Sequence, residues 1–181
     1  MMYAREREFV LEQLAASEVR LLGLVEGLTP AQWSFREGPE RWSIAENIEH
    51  CVLFEDFILG AILRSLDGPA EPQKRSEAAE KEHLVLSLAN GRNVKLNARE
   101  VVRPVGRWPD RAELIAEFRR RRARTIGFAE ECQADLRGHF FAHITLGDLD
   151  CYQWLLVLSK HAMRHALQIE EIKADPAYPA S

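Results

Sequence analysis

The stretch that decides the fold is residues 151–173, CYQWLLVLSKHAMRHALQIEEIK. Trp154, Leu158, His161, His165, Ile169 and Ile172 recur at the three- and four-residue spacing of a helix face that looks into a core. Two imidazoles therefore stand where the pattern asks for Leu or Ile. A four-residue step puts them one turn apart on one side, with roughly 5–6 Å between Cβ atoms, so both rings can converge on one small target. A pair of core histidines held by hydrogen bonds satisfies the same spacing. A third ligand from elsewhere in the chain would decide between the two readings.

Working outward, 181 residues suffice for one domain, 1–181, with a full core and no need of staples. Hydrophobic residues at 46% and charged residues at 29% place the chain among soluble globular proteins rather than disordered or fibrous ones. A formal net charge of −4 gives no pull toward nucleic acid or an acidic membrane, so neither is expected as a partner. The start, MMYAREREFVLEQL, carries charge among its apolar positions and has no signal-peptide pattern. No run of 18 apolar residues offers a membrane span. Cys51, Cys132 and Cys151 are an odd set without a CxxC, which fits a reducing compartment and a cytoplasmic location. Each reads as a small buried apolar residue rather than a nucleophile.

From the N-terminus, Tyr3, Val10, Leu14, Leu21, Val25 and Leu28 predict a long amphipathic helix over 3–28, ending near Gly27. Thr29-Pro30-Ala31-Gln32 reads as a capped short turn, after which Trp33 and Phe35 pack against the core. A turn at residues 38–41 precedes Trp42-Ser43-Ile44-Ala45-Glu46, where a Ser-x-x-Glu capping box opens a helix that runs to Leu66 and stops at Asp67-Gly68-Pro69. That helix is apolar over more than half its circumference, so it is expected to be the most buried, and His50 interrupts it on the side of Asn47, Phe54 and Phe57. Residues 68–75 read as a surface connection, 76–89 as one short helix stopping at Asn90-Gly91, and 92–109 as an irregular segment that is either a lid or a crossover strap. Asp110 with Glu113 caps a helix to about Gln133 on the stripe Leu114, Phe118, Ile126 and Ala129.

Residues 119–122 are four consecutive arginines, but on a helix they point in four directions and make no single basic patch. Arg122 falls on the inward side, where a guanidinium needs an acidic or carbonyl partner or a pocket to line. His139 and His143 form a second HxxxH, placed in a connection where no helix enforces the spacing. Thr145 with Asp148 looks like the cap of the final helix.

Three imidazoles, His50, His161 and His165, thus lie on apolar helical faces, a usual way for a bundle to hold a divalent ion. Three protein ligands leave a position open, as in catalytic rather than structural sites. Ala162 stands where the HExxH peptidase arrangement has its Glu, so peptide hydrolysis by that route is not expected. Glu46, one turn before His50, is either a capping residue or an acceptor that orients the ring, and Gln168 either borders the site or packs at the flank.

Trp42-Ser43-Ile44-Ala45-Glu46 followed by His50 resembles the opening of the second helix in the DinB-like superfamily. His161-Ala162-Met163-Arg164-His165 with Gln168-Ile169 resembles its final-helix motif, and the likeness extends over nearly the whole chain, including the step from Phe118 to Arg122 and the entry from Phe141 to Asp148. The resemblance implies an all-α four-helix bundle connected up-down-down-up, with short extra helices in the connections. It also implies a divalent metal, Zn or Ni, on His50, His161 and His165, and commonly a homodimer. Some relatives are S-transferases or isomerases that use a low-molecular-weight thiol such as bacillithiol or mycothiol. The expected function is therefore a metal-dependent transferase or hydrolase acting on a small molecule by activating a thiol or water, with Arg122, Gln168 and Glu46 as pocket candidates. The competing expectation is a metal- or ligand-binding bundle without catalysis, in which protein supplies the fourth ligand or the rings stand too far apart to share an ion.

Overall fold

The computed structural model describes residues 2–90 and 98–180. It is mostly helical. In chain order the elements are α1 (Ala4–Gly23), α2 (Pro30–Ser34), α3 (Ile44–Leu66), α4 (Arg75–Glu80), α5 (Glu82–Ser87), α6 (Arg111–Glu131), the strands β1 (Phe140–His143) and β2 (Gly147–Asp150), and α7 (Cys151–Ala174). Short 3₁₀ turns occur at Pro72–Lys74, Glu100–Val102 and Leu136–Gly138. Among the described residues no helix is long and apolar enough to cross a membrane.

Side chains fix where the long helices begin. Ser43 Oγ accepts from the Glu46 N–H at 3.2 Å while Glu46 Oε2 accepts from the Ser43 N–H at 2.8 Å, which ties down two of the donors that the first turn of α3 leaves unpaired. Asp110 Oδ1 accepts from the Glu113 N–H at 2.8 Å and starts α6. The helix expected over 3–28 stops at Gly23, and a turn carries the chain to Gly27, whose φ of 67° is the left-handed conformation that glycine adopts without a Cβ clash.

Four long helices share the interior, with α1 and α3 each packed against both α6 and α7. Their apolar faces form two clusters. One gathers Val10 and Leu14 of α1, Ile58 and Ile62 of α3, Ala129 of α6 and residues 151–158 except Gln153. The other gathers Leu21, Ile48, Val52, Phe118, Ala162, Ala166 and Ile169. Between the two on each helix sits a buried polar residue: Ser17, Glu55, Arg122 with Thr125, and Ser159. Trp33 and Phe35 pack against the second cluster.

Two connections differ from the expectation. The single helix over 76–89 is two short ones meeting at Lys81, whose backbone angles (φ −88°, ψ −8°) depart from the helical values. The proposed stop at Asn90-Gly91 and the first part of the 92–109 segment reach outside the described residues. Thr145 and Asp148 do not cap the final helix. They belong to a hairpin in which Phe140 pairs with Asp150 and His143 with Gly147. Gly147 has φ 67°, and the Thr145 N–H donates to His143 Nδ1 at 3.3 Å. The cap is Asp150, reciprocal with Gln153 at 2.7 and 3.1 Å. Strands of only four residues, whose burial does not alternate cleanly, hold too short a pattern to read from sequence. The protein is therefore helical with one small antiparallel hairpin.

Candidate metal centre

Helices α3 and α7 bring His50, His161 and His165 together. The ring centroids lie 4.8 Å apart for His50 and His161, 4.8 Å for His50 and His165, and 4.5 Å for His161 and His165. Capping at Ser43 sets the start of α3 and so the side on which His50 falls. The four-residue step on α7 does the same for the other two rings.

Hydrogen bonds fix which nitrogen each ring offers. His50 Nδ1 lies 2.6 Å from the Val102 carbonyl, which only accepts, so the proton sits on Nδ1 and Nε2 is the basic atom. His165 Nδ1 lies 2.7 Å from Asn47 Oδ1. Asn47 Nδ2 in turn donates to the Ser43 carbonyl at 2.8 Å, which turns the amide oxygen toward the imidazole and again places the ring proton on Nδ1. His161 stacks on Phe54 with centroids 3.7 Å apart, and its Nε2 lies 3.0 Å from His50 Nε2. Without an ion one proton must bridge that contact. With an ion both nitrogens are ligands.

One ligand atom from each ring lies within 4.8 Å of the others. Two nitrogens held at about 2.0–2.1 Å from one ion are at most about 4.2 Å apart and about 3.4 Å apart at a tetrahedral angle, so a spacing of 4.8 Å closes by at least about 0.6 Å on loading, and by about 1.4 Å for tetrahedral geometry. Burial holds the His50 imidazole neutral down to about 4, against the opposing effect of the Val102 hydrogen bond. Burial, and then the neighbouring His165, His50 and arginine charges, keep His161 well below its ordinary value. Metal binding needs neutral imidazoles, and both rings are neutral at pH 7. This donor set fits a divalent ion such as Zn, Ni, Cu or Fe.

A cavity of about 490 Å³ opens onto the three rings. Trp42, Phe54, Phe57, Phe141 and Trp154 give it aromatic walls. Polar side chains reach it at Arg99, Lys160, Arg164 and Gln168. None of its described lining residues is a cysteine. The thiols of Cys51 and Cys151 are buried, and burial pushes Cys151 up to about 12 and Cys51 higher still.

A family model of the DinB superfamily matches residues 13–169. The chain belongs to the DinB superfamily. No curated protein and no solved structure matched it. The DinB superfamily match ends at Ile169 within α7, so it takes in all three histidines.

The other residues singled out from sequence fall in different places. Gln168 lines the cavity. Glu46 is occupied by its capping box and by Arg36, whose Nη2 donates to Glu46 Oε1 at 2.7 Å. Arg122 lies in the core, away from the cavity, with Glu55 as its acidic partner: Nε donates to Glu55 Oε1 at 2.7 Å. His139 Nδ1 bonds the Ser65 carbonyl at 2.9 Å, whereas His143 lines the cavity.

Sequence reasoning did not find the groups that orient the rings. Asn47 carried a signal, because it lies three residues before His50 on the same side of α3. The Val102 carbonyl carried none. Its segment is held in place by the buried Glu49 carboxylate, which accepts from the N–H groups of Val105, Gly106 and Arg107 at 3.1, 2.9 and 3.0 Å. The described part of the 92–109 segment is thus strapped to α3.

Proposed function

We propose that this chain is a divalent-metal-binding enzyme that transfers or hydrolyses a small molecule, with His50, His161 and His165 as the ligands. The observation that carries the reading is the cluster of three imidazoles, two with Nδ1 committed to Val102 and Asn47, facing an apolar cavity large enough for a substrate. A closed structural site would draw a fourth ligand from protein, and the cluster among the described residues contains three.

Bound there, a divalent ion would supply Lewis acidity, lowering the pKa of a thiol or water and polarising a substrate oxygen. The residues themselves do the rest. Val102 and Asn47 hold Nδ1 of His50 and His165 as donors, so that Nε2 is the atom each ring turns to an ion. Trp42 lies 4.9 Å from His50 and 6.3 Å from His165 between ring centroids, and with Phe54 it keeps bulk water off the imidazoles. With no cysteine in the described walls, a nucleophilic thiol would come from a small molecule.

We read the four long helices as an up-down-down-up bundle forming one domain. In support, α1 and α7 pass from the first apolar cluster to the second, and α3 and α6 pass the other way. The test is a screen of low-molecular-weight thiols and electrophiles with protein purified without a His tag. Thiol-dependent consumption of an electrophile that disappears with chelator and in His50→Ala, His161→Ala and His165→Ala is the expected result. Turnover that survives all three substitutions would overturn the reading. A protein that holds metal and turns over nothing would favour the non-catalytic bundle.

A further inference from the structure

The acidic residues of this chain outnumber the basic ones, 28 to 24, yet the described wall of the cavity holds Arg99, Lys160 and Arg164 and no Asp or Glu. Two buried or half-buried arginines elsewhere have acids at hand, Arg122 with Glu55 and Arg137 with Glu6, Glu82 and Asp150, while half-buried Arg7 and Arg111 bond the backbone carbonyls of Cys132 and Leu28. Two of the cavity bases, half-buried Lys160 and exposed Arg99, are arranged differently. Lys160 Nζ donates to the neutral amide of Gln13 at 2.6 Å, and the Arg99 guanidinium lies 5.7 Å over the Phe57 ring. No carboxylate among the described residues pairs with either. Lys160 and Arg164 are also one turn apart on α7, where like charges repel.

We infer that the cavity binds a small molecule with an apolar, ring-sized body and an anionic oxygen-bearing group, held by Lys160 of α7 and Arg99 of the strap, with Arg164 beside them. The aromatic walls take the body, and the apolar surroundings of half-buried Lys160 strengthen its attraction for the anion. Lys160 and Arg99 come to one cavity wall from two separate elements, so both can turn to the anionic end and place it as well as attract it. What the anion would undergo there rests on the proposed function. Its binding does not.

The test compares two fluorescent probes of nearly the same shape, anilinonaphthalene sulfonate and neutral N-phenyl-1-naphthylamine, on chelator-treated full-length protein. The expected result is that Lys160→Gln with Arg99→Gln weakens sulfonate binding by about tenfold or more and leaves the neutral probe unchanged, since a charged hydrogen bond contributes about that factor. Lys160→Arg should retain binding. Unchanged neutral-probe binding also reports that the variant is folded. If the variant does not fold, raised salt serves on the unaltered protein, where it should weaken the sulfonate alone. Equal losses for both probes, or none for the sulfonate, would overturn the inference. Zinc titration of the same proteins separates the two claims: sulfonate selectivity with no zinc binding would support the anion site and remove the metal centre.

Discussion

Arg122 on α6 and His161 on α7 both occupy helix faces where an apolar stripe asks for Leu, and the interior treats them in opposite ways. The Arg122 side chain is saturated: Glu55 takes Nε, the Leu14 carbonyl and Ser17 Oγ take Nη1 at 2.9 and 2.7 Å, and the Leu158 carbonyl takes Nη2 at 3.4 Å. Thr125 Oγ1 completes the layer by donating to Glu55 Oε2 at 2.7 Å. Around His161 the arrangement is different. Val102 and Asn47 fix the outer nitrogens of its two neighbours, and the inner side of the three rings faces one another and a cavity. A polar layer that closes on itself serves the fold. One whose rings face open volume is suited to a ligand.

The largest effect is expected where the closed layer is broken. Glu55→Ala leaves a guanidinium buried without its counter-charge and should cost about 3–5 kcal/mol in urea unfolding, whereas replacing both partners by Leu and Met should cost much less. A single substitution below about 1 kcal/mol would show that the layer is not saturated as described. The open cluster should instead reveal itself through pH. His50 titrates near 6.5 unfolded and about 4 folded, so below 6.5 the unfolded chain binds more protons. Stability from this group is thus full above pH 6.5 and lost as pH falls from there through 4, by on the order of 3 kcal/mol. Metal-free protein should show this slope in urea titrations, and it should be shallower in His50→Gln, where the contribution of His161 remains. An unchanged slope would deny the burial of a neutral ring.

Smaller effects test the supporting groups. Asn47→Leu removes the acceptor that orients His165 and should weaken zinc affinity about 10–100-fold, with Asn47→Asp retaining most of it. Thr125→Val, at the edge of the closed layer, should cost about 1 kcal/mol and leave zinc affinity untouched. A loss of zinc affinity there would mean that the two layers are coupled.

Much of this contrast is visible in the sequence because helices repeat. Ser43 and Glu46 announce the start of α3, the four-residue step aligns His161 with His165, and Arg122 declares its need for an acid by falling between Phe118 and Ile126. The acid itself, Glu55, is far away in sequence and had no signal. Short elements were equally silent. Phe140 to Asp150 folds as a hairpin because backbone pairing across its two strands outcompetes the cap suggested by Thr145 and Asp148, and four-residue strands hold too little pattern to show it. Val102 matters through its carbonyl, an atom every residue has, so only the Glu49-pinned path of the strap brings it to His50.

The central claim is that the open cluster holds an ion, and zinc competition titration against a chromophoric chelator tests it most directly. The account expects one zinc per chain in the unaltered protein and a loss of at least about a hundredfold in affinity for each of His50→Ala, His161→Ala and His165→Ala, because each removes one of the three donors. Zinc affinity unchanged in all three variants would contradict it.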